Sequence, residues 1–97
     1  VETNPFNPED PSQSPVRFSY ELPAAADVEF RIFALTGEEV YSSEYSAGSS
    51  GGIQGENLIE WDGRNDDGQV VRNGVYVAQM KNVSSGEIAY LKIAVVK

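Results

Sequence analysis

Apolar and polar residues alternate in short bursts along most of this chain. Val16, Phe18, Tyr20 and Leu22 alternate with Arg17, Ser19 and Glu21, a period of two that puts the apolar set on one face of a strand. "PAAAD" closes that run. "VEFRIFAL" follows, with Val28, Phe30, Ile32 and Ala34 on one side. Phe33 and Leu35 break the alternation, which predicts that the far face of this strand is partly covered as well. "TGEE" reads as a tight turn with Gly37 at its positive-φ position, and "VYSSEYS" (40–46) pairs back as a hairpin. The Gly/Ser-rich "AGSSGGIQGE" (47–56) predicts a mobile loop or an edge crossing. "NLIEW" is a short strand with Ile59 and Trp61 on one face. "GVYVAQMKNV" and "IAYLKIAVV", joined by "SSGE", supply the last two, with Leu91, Ile93 and Val95 sharing a face.

Helical periodicity is missing throughout, and the Ala24–Ala26 triplet is too short to nucleate a helix. Six strands and Gly-rich turns predict an all-β sandwich of two sheets, with about seven strands if the lead-in pairs. That lead-in, residues 1–15, is extended. All five prolines fall in the first 23 residues, and proline lacks the donor that a helix interior or central strand needs. Phe6 is the one large apolar residue of the segment and is expected to pin it to the core.

The 97 residues suit one domain spanning 1–97. The chain opens on Val rather than Met, so it is expected to be processed or cut from a longer protein. No run of about 20 apolar residues is present for a membrane span, and no signal-peptide pattern is visible.

Charge and composition narrow the chemistry. The chain has neither Cys nor His, which removes disulfides, thiolate nucleophiles and the usual zinc ligands. The net charge of −8 is uneven: residues 1–62 carry twelve acids against Arg17 and Arg31, and residues 63–97 carry a small positive excess. So acidic a chain is not expected to bind nucleic acid, which is held by Lys and Arg on phosphates. No nucleophile–base pair is recognisable among its serines, so no catalysis is expected. Glu60 and Asp62 share a face, but a small sandwich offers their carboxylates no cleft.

"IEWDGRNDDGQVVRNGVY" (59–76) is the one stretch dense in oxygen donors. It fails the EF-hand spacing in both registers. From Asp62 the third position is Arg64, and from Asn65 the fifth is Gln69, with Gly68 too early. An irregular calcium site on Asp62, Asn65, Asp66 and Asp67 is the alternative to plain turn chemistry, in which Asp and Asn cap backbone N–H groups. On the turn reading Asp62 caps the chain just after the strand, Trp61 supplies the largest core contact, and no cofactor is required. Tyr41 and Tyr45 point to one face, as a sugar-stacking platform or as half of the core.

Several pieces then fall into a familiar order: "NPFNP" at 4–8, "VRFSYELP" at 16–23, "DVEFRIFALTGEEV" at 27–40, "EWDGRNDDGQVVRNGVYVAQM" at 60–80 and a final "KIAVVK". Together they resemble the C-terminal sorting domains of the type IX secretion system, and also the immunoglobulin-like domain of flagellar hook-capping proteins. The most specific residues are Trp61-Asp62-Gly63, Gly68 and Gly74-Val75-Tyr76, joined to the Asn-Pro-Phe opening. The resemblance implies a seven-stranded immunoglobulin-like sandwich without catalysis. It implies a secreted or cell-surface location reached through the periplasm, a cargo domain upstream in the same chain, and partners in a secretion or attachment machinery. Within it the last strand is the candidate recognition element, with Leu91, Lys92, Ile93 and Lys97 as its residues. The alternatives are a structural spacer of a multidomain surface or hook-cap-like protein, and a carbohydrate- or calcium-binding accessory domain.

Overall fold

The computed structural model describes residues 5–97, so the first part of the lead-in, including Asn4, lies outside the described residues. Six strands carry the fold: β1 (Val16–Leu22), β2 (Val28–Ala34), β3 (Glu39–Tyr45), β4 (Gly55–Trp61), β5 (Gly74–Asn82) and β6 (Ile88–Val95). No helix is present among the described residues, and hence none long and apolar enough to cross a membrane. The strands form two antiparallel sheets, one of four in the order β3-β2-β5-β6 and one of two, β1-β4. This is the all-β two-sheet sandwich that the alternation predicts.

The period-two pattern sets which face is buried. Val16 and Phe18 of β1 and Ile59 and Trp61 of β4 point inward. They meet Phe30 and Ile32 of β2, Tyr76, Ala78 and Met80 of β5, and Ile93 and Val95 of β6. A smaller cluster of Leu22, Ala26 and Val28 fills the far end. Removing this apolar area from water is the main favourable contribution to folding, at about 25 cal/mol per Å².

Where a seventh strand is expected, the lead-in makes only a bridge. Phe6, wholly buried, lies parallel to Val95, donating to the Ala94 carbonyl at 2.8 Å and accepting from Val96 N–H at 2.9 Å. Prolines at 5, 8, 11 and 15 keep the ladder from extending, because each lacks the N–H a ladder needs.

The loop after β3 is the edge crossing of the two readings, carrying the chain from one sheet to the other. It is packed and hydrogen-bonded, and β4 begins inside it at Gly55. Gly48 and Ala26 N–H both donate to the Gly52 carbonyl, at 3.0 and 3.1 Å. The Tyr20 hydroxyl donates to the Gly51 carbonyl. Asn57, 3% exposed, accepts from Ile53 N–H and donates to the Ile53 and Gly55 carbonyls. A Cβ at Gly52 would stand 2.4 Å from the Ser46 carbonyl oxygen and 2.6 Å from that of Ala26. Glycine here permits close approach of three backbone segments rather than mobility.

Phe33 and Leu35 divide. Phe33, on the outer face of β2, is half-buried, but Leu35 just past the strand is 67% exposed. A register shift beside Phe33 inserts Val40 into β3 as an extra residue, a bulge of the kind that re-aims an edge strand.

Candidate functional site

The β4–β5 connection, the oxygen-rich stretch, is a set of interlocked turns. Asp62 accepts from Arg64 N–H at 3.1 Å, as a cap just past the strand would. The Trp61 indole N–H donates to the Arg64 carbonyl at 2.9 Å, so the turn closes over the buried ring. Asn65 Oδ1 accepts from both Asp67 and Gln69 N–H, at 3.0 and 2.9 Å. The Arg64 guanidinium donates to the Gly68 carbonyl at 2.8 Å. Asp66 reaches outward to β3: its N–H donates to the Val40 carbonyl at 3.0 Å, and its Oδ1 accepts from Ser42 N–H at 3.2 Å.

Of the four residues nominated for a metal, Asp62, Asn65 and Asp66 therefore each accept at least one backbone N–H, and the exposed Asp67 sits at the turn's apex. No group of three or more acidic side chains among the described residues is arranged to hold a metal ion. The acids do shape the local field. Burial raises the Tyr41 hydroxyl above its ordinary pKa, and Tyr45 and the carboxylates of Asp62 and Asp66 add to the rise. Tyr41 and Tyr45 are half-buried and pack against the core, which is the second of the two readings their spacing allowed.

The residues nominated for recognition divide by burial. Ile93 is wholly buried and Leu91 half-buried, so both face the core. Lys92 and Lys97 are exposed, and Lys97 N–H donates to Asn73 Oδ1 at 2.9 Å, tying the chain end to the turn before β5.

A relation invisible in the sequence joins the distant marker motifs. The Trp61 ring meets Phe6 at 6.1 Å, Tyr76 at 6.2 Å and Tyr41 at 6.5 Å between centroids. Such tilted and edge-on pairs contribute about 0.5–1.5 kcal/mol each beyond burial. Gly63 adopts φ +78°, and a Cβ there would stand 2.4 Å from the Pro8 Cβ. Phe6 and Pro8 of the lead-in motif and the Trp-Asp-Gly motif are thus two halves of one contact. The Tyr76 hydroxyl donates to the Arg72 carbonyl four residues upstream at 2.7 Å. That is the tyrosine corner of immunoglobulin-type sandwiches, set here near the start of β5.

The fold and this knot define an immunoglobulin-like sandwich module. The FlgD Ig-like domain model matches residues 4–86, and the chain belongs to that family, whose domains are structural modules. Solved structures that share the fold include the following three. FlgD from P. aeruginosa is 19% identical, with a TM-score of 0.62 over 95% of this chain and 64% of its own length. FlgD from Xanthomonas campestris, described in relation to hook capping in flagellar assembly, is 24% identical, with a TM-score of 0.58 over 80% of this chain and 53% of its own. PorZ from Porphyromonas gingivalis, an essential surface component of the type IX secretion system, is 21% identical, with a TM-score of 0.57 over 84% of this chain and 12% of its own. The chain thus spans less than two thirds of each of these proteins. No curated protein sequence matches it.

Proposed function

We propose that this chain is a non-catalytic immunoglobulin-like domain of a secreted bacterial protein, working as a secretion-sorting or surface-attachment signal for a cargo domain in the same chain. The observation that carries the reading is the division of labour among its residues. The family-marking residues Phe6, Trp61, Gly63 and Tyr76 all serve internal packing. The cations Lys92 and Lys97 stand exposed on the last strand and just beyond it, on a molecule of net charge −8. A basic handle on an acidic body suits recognition by proteins of an export or attachment machinery. The likeness in fold to a surface component of a secretion system supports the same reading.

Fusing residues 1–97 to a reporter in a bacterium with a type IX system tests it. The reporter is expected at the cell surface or in the medium, and Lys92→Glu with Lys97→Glu is expected to reduce its export while the domain still folds. A reporter retained in the periplasm overturns the sorting reading. Membership of the FlgD Ig-like family favours a second reading, a structural spacer within a multidomain assembly. In that case the charge reversals leave export unchanged, and deleting the domain disrupts assembly of its parent protein.

A further inference from the structure

The two sheets treat their edges differently. In the four-stranded sheet each edge is engaged over a short stretch: Asp66 takes up the Val40 carbonyl and Ser42 N–H on β3, and Phe6 takes up the Ala94 carbonyl on β6 and the Val96 N–H just past it. An immunoglobulin sandwich of the smallest common type sets four strands against three. Here four face two. The packed loop 46–54 connects β3 to β4 directly, where such a fold has room for one strand more. Among the described residues β4 pairs with β1 alone, so alternate backbone N–H and C=O groups along its other side have no strand partner. That edge carries no proline and no bulge.

The side chains of β4 say what could lie there. Its outer face presents Glu56, Leu58 and Glu60, with Leu58 45% exposed. On the inner side Tyr41 of β3, though in contact with Trp61, is only half-buried, and it lines with Glu60 an open hollow of about 390 Å³. A second copy pairing antiparallel through β4, centred on Leu58, would set Glu56 directly opposite Glu60 twice. Like charges so placed are destabilising. A strand with alternating basic and apolar residues meets the opposite conditions. Its cations face the two glutamates across the ladder, and its apolar side chains fall on the opposite face, toward Tyr41.

We infer that the free edge of β4 is a β-augmentation site for an extended segment with alternating basic and apolar residues, supplied by a partner protein. The mode is strand addition, in which backbone hydrogen bonds give affinity and the flanking side chains give selectivity. The site is separate from Lys92 and Lys97, and it stands whether or not this domain is a sorting signal.

The test uses residues 1–97 labelled with ¹⁵N and a short capped peptide of alternating lysine and valine. The peptide is expected to slow amide hydrogen exchange along β4 between Gly55 and Trp61. Glu56→Lys with Glu60→Lys is expected to weaken its binding roughly tenfold, the sum of two reversed cross-strand charge pairs. A glutamate–valine peptide should then prefer the variant. If the variant loses its fold, rising salt must weaken lysine–valine binding to the unaltered domain instead. The inference is overturned by no protection of β4 at millimolar peptide, by protection confined to other strands, or by affinity indifferent to both charge reversal and salt. It is overturned equally if β4 becomes protected in the concentrated domain alone, which would identify a second copy as the occupant.

Discussion

The four-stranded and two-stranded sheets share one core but differ in how they stop. The larger sheet ends in two engaged edges, one held by an aspartate from the β4–β5 turns and one by a phenylalanine from the lead-in. Among the described residues the smaller sheet has no strand partner along the far side of β4 or the far side of β1. The difference teaches that segments outside the strands finish the edges of the sandwich. Asp66 of the acid-rich turns and Phe6 of the proline-rich lead-in each finish one edge of the larger sheet.

Trp61 joins the two sheets, so its loss should disturb both. Trp61→Ala is expected to destabilise the domain by about 3–5 kcal/mol, the range for truncating a large buried aromatic, read as a lowered midpoint in urea denaturation. Gly63→Ala should separate the sheets' behaviour. The added methyl collides with Pro8 at a positive φ, at a cost of about 1–3 kcal/mol. Because Pro8 and Phe6 belong to one strap, Val96 N–H should lose exchange protection before the amides of β2 do. Combining it with Pro8→Gly should recover part of the loss, a coupling that two unrelated sites would not show.

Smaller effects fall on the β3 edge. Asp66→Ala removes one charge-assisted acceptor and should cost about 1 kcal/mol, with faster exchange at Ser42 N–H and no change at Val96. Alkali acts more diffusely. Burial, with a contribution from Tyr45, raises the Tyr20 hydroxyl to about 12, and burial likewise raises Tyr41 and Tyr76. Each ionises more readily in the unfolded chain, near pH 10, than in the fold. Their stabilising contribution is therefore complete below pH 10 and is lost as pH rises from 10 towards 12. A denaturation midpoint that falls over that window, and falls less steeply in Tyr20→Phe, checks the sign. The smallest expected change is with calcium: millimolar calcium should leave the melting temperature where it was, since Asp62, Asn65 and Asp66 already accept backbone N–H groups. A rise with calcium would restore a ligand role to that loop.

The alternation of β1, β2, β4, β5 and β6 was legible because one face of each strand is buried and its side-chain period is two. So was the cap by Asp62, which follows from the local preference of aspartate for the N–H two residues on. The crossing at 46–54 was legible as one of two readings, but its hydrogen bonding was not. Gly51 and Gly52 signal freedom when read alone, yet their backbone lies against the nearby Tyr45 and against Tyr20 and Ala26, which are more than 20 positions away. The partnership of Gly63 with Pro8 was hidden for the same reason. The four recognition candidates on and just after β6 followed from sequence order and charge, while the alternation that puts Leu91, Ile93 and Val95 on one face separates the buried Ile93 from the exposed Lys92. The open edge of β4 is a property of topology: it exists because the sheet stops at two strands, and no residue type announces that.

Residue-resolved hydrogen exchange on the intact domain tests the contrast between the sheets most directly. The amides of Val96, Ser42 and Asp66 should exchange slowly, and every second amide from Gly55 to Trp61 should exchange as fast as an exposed loop. Uniform protection along β4, or rapid exchange at Val96, Ser42 and Asp66, would contradict it.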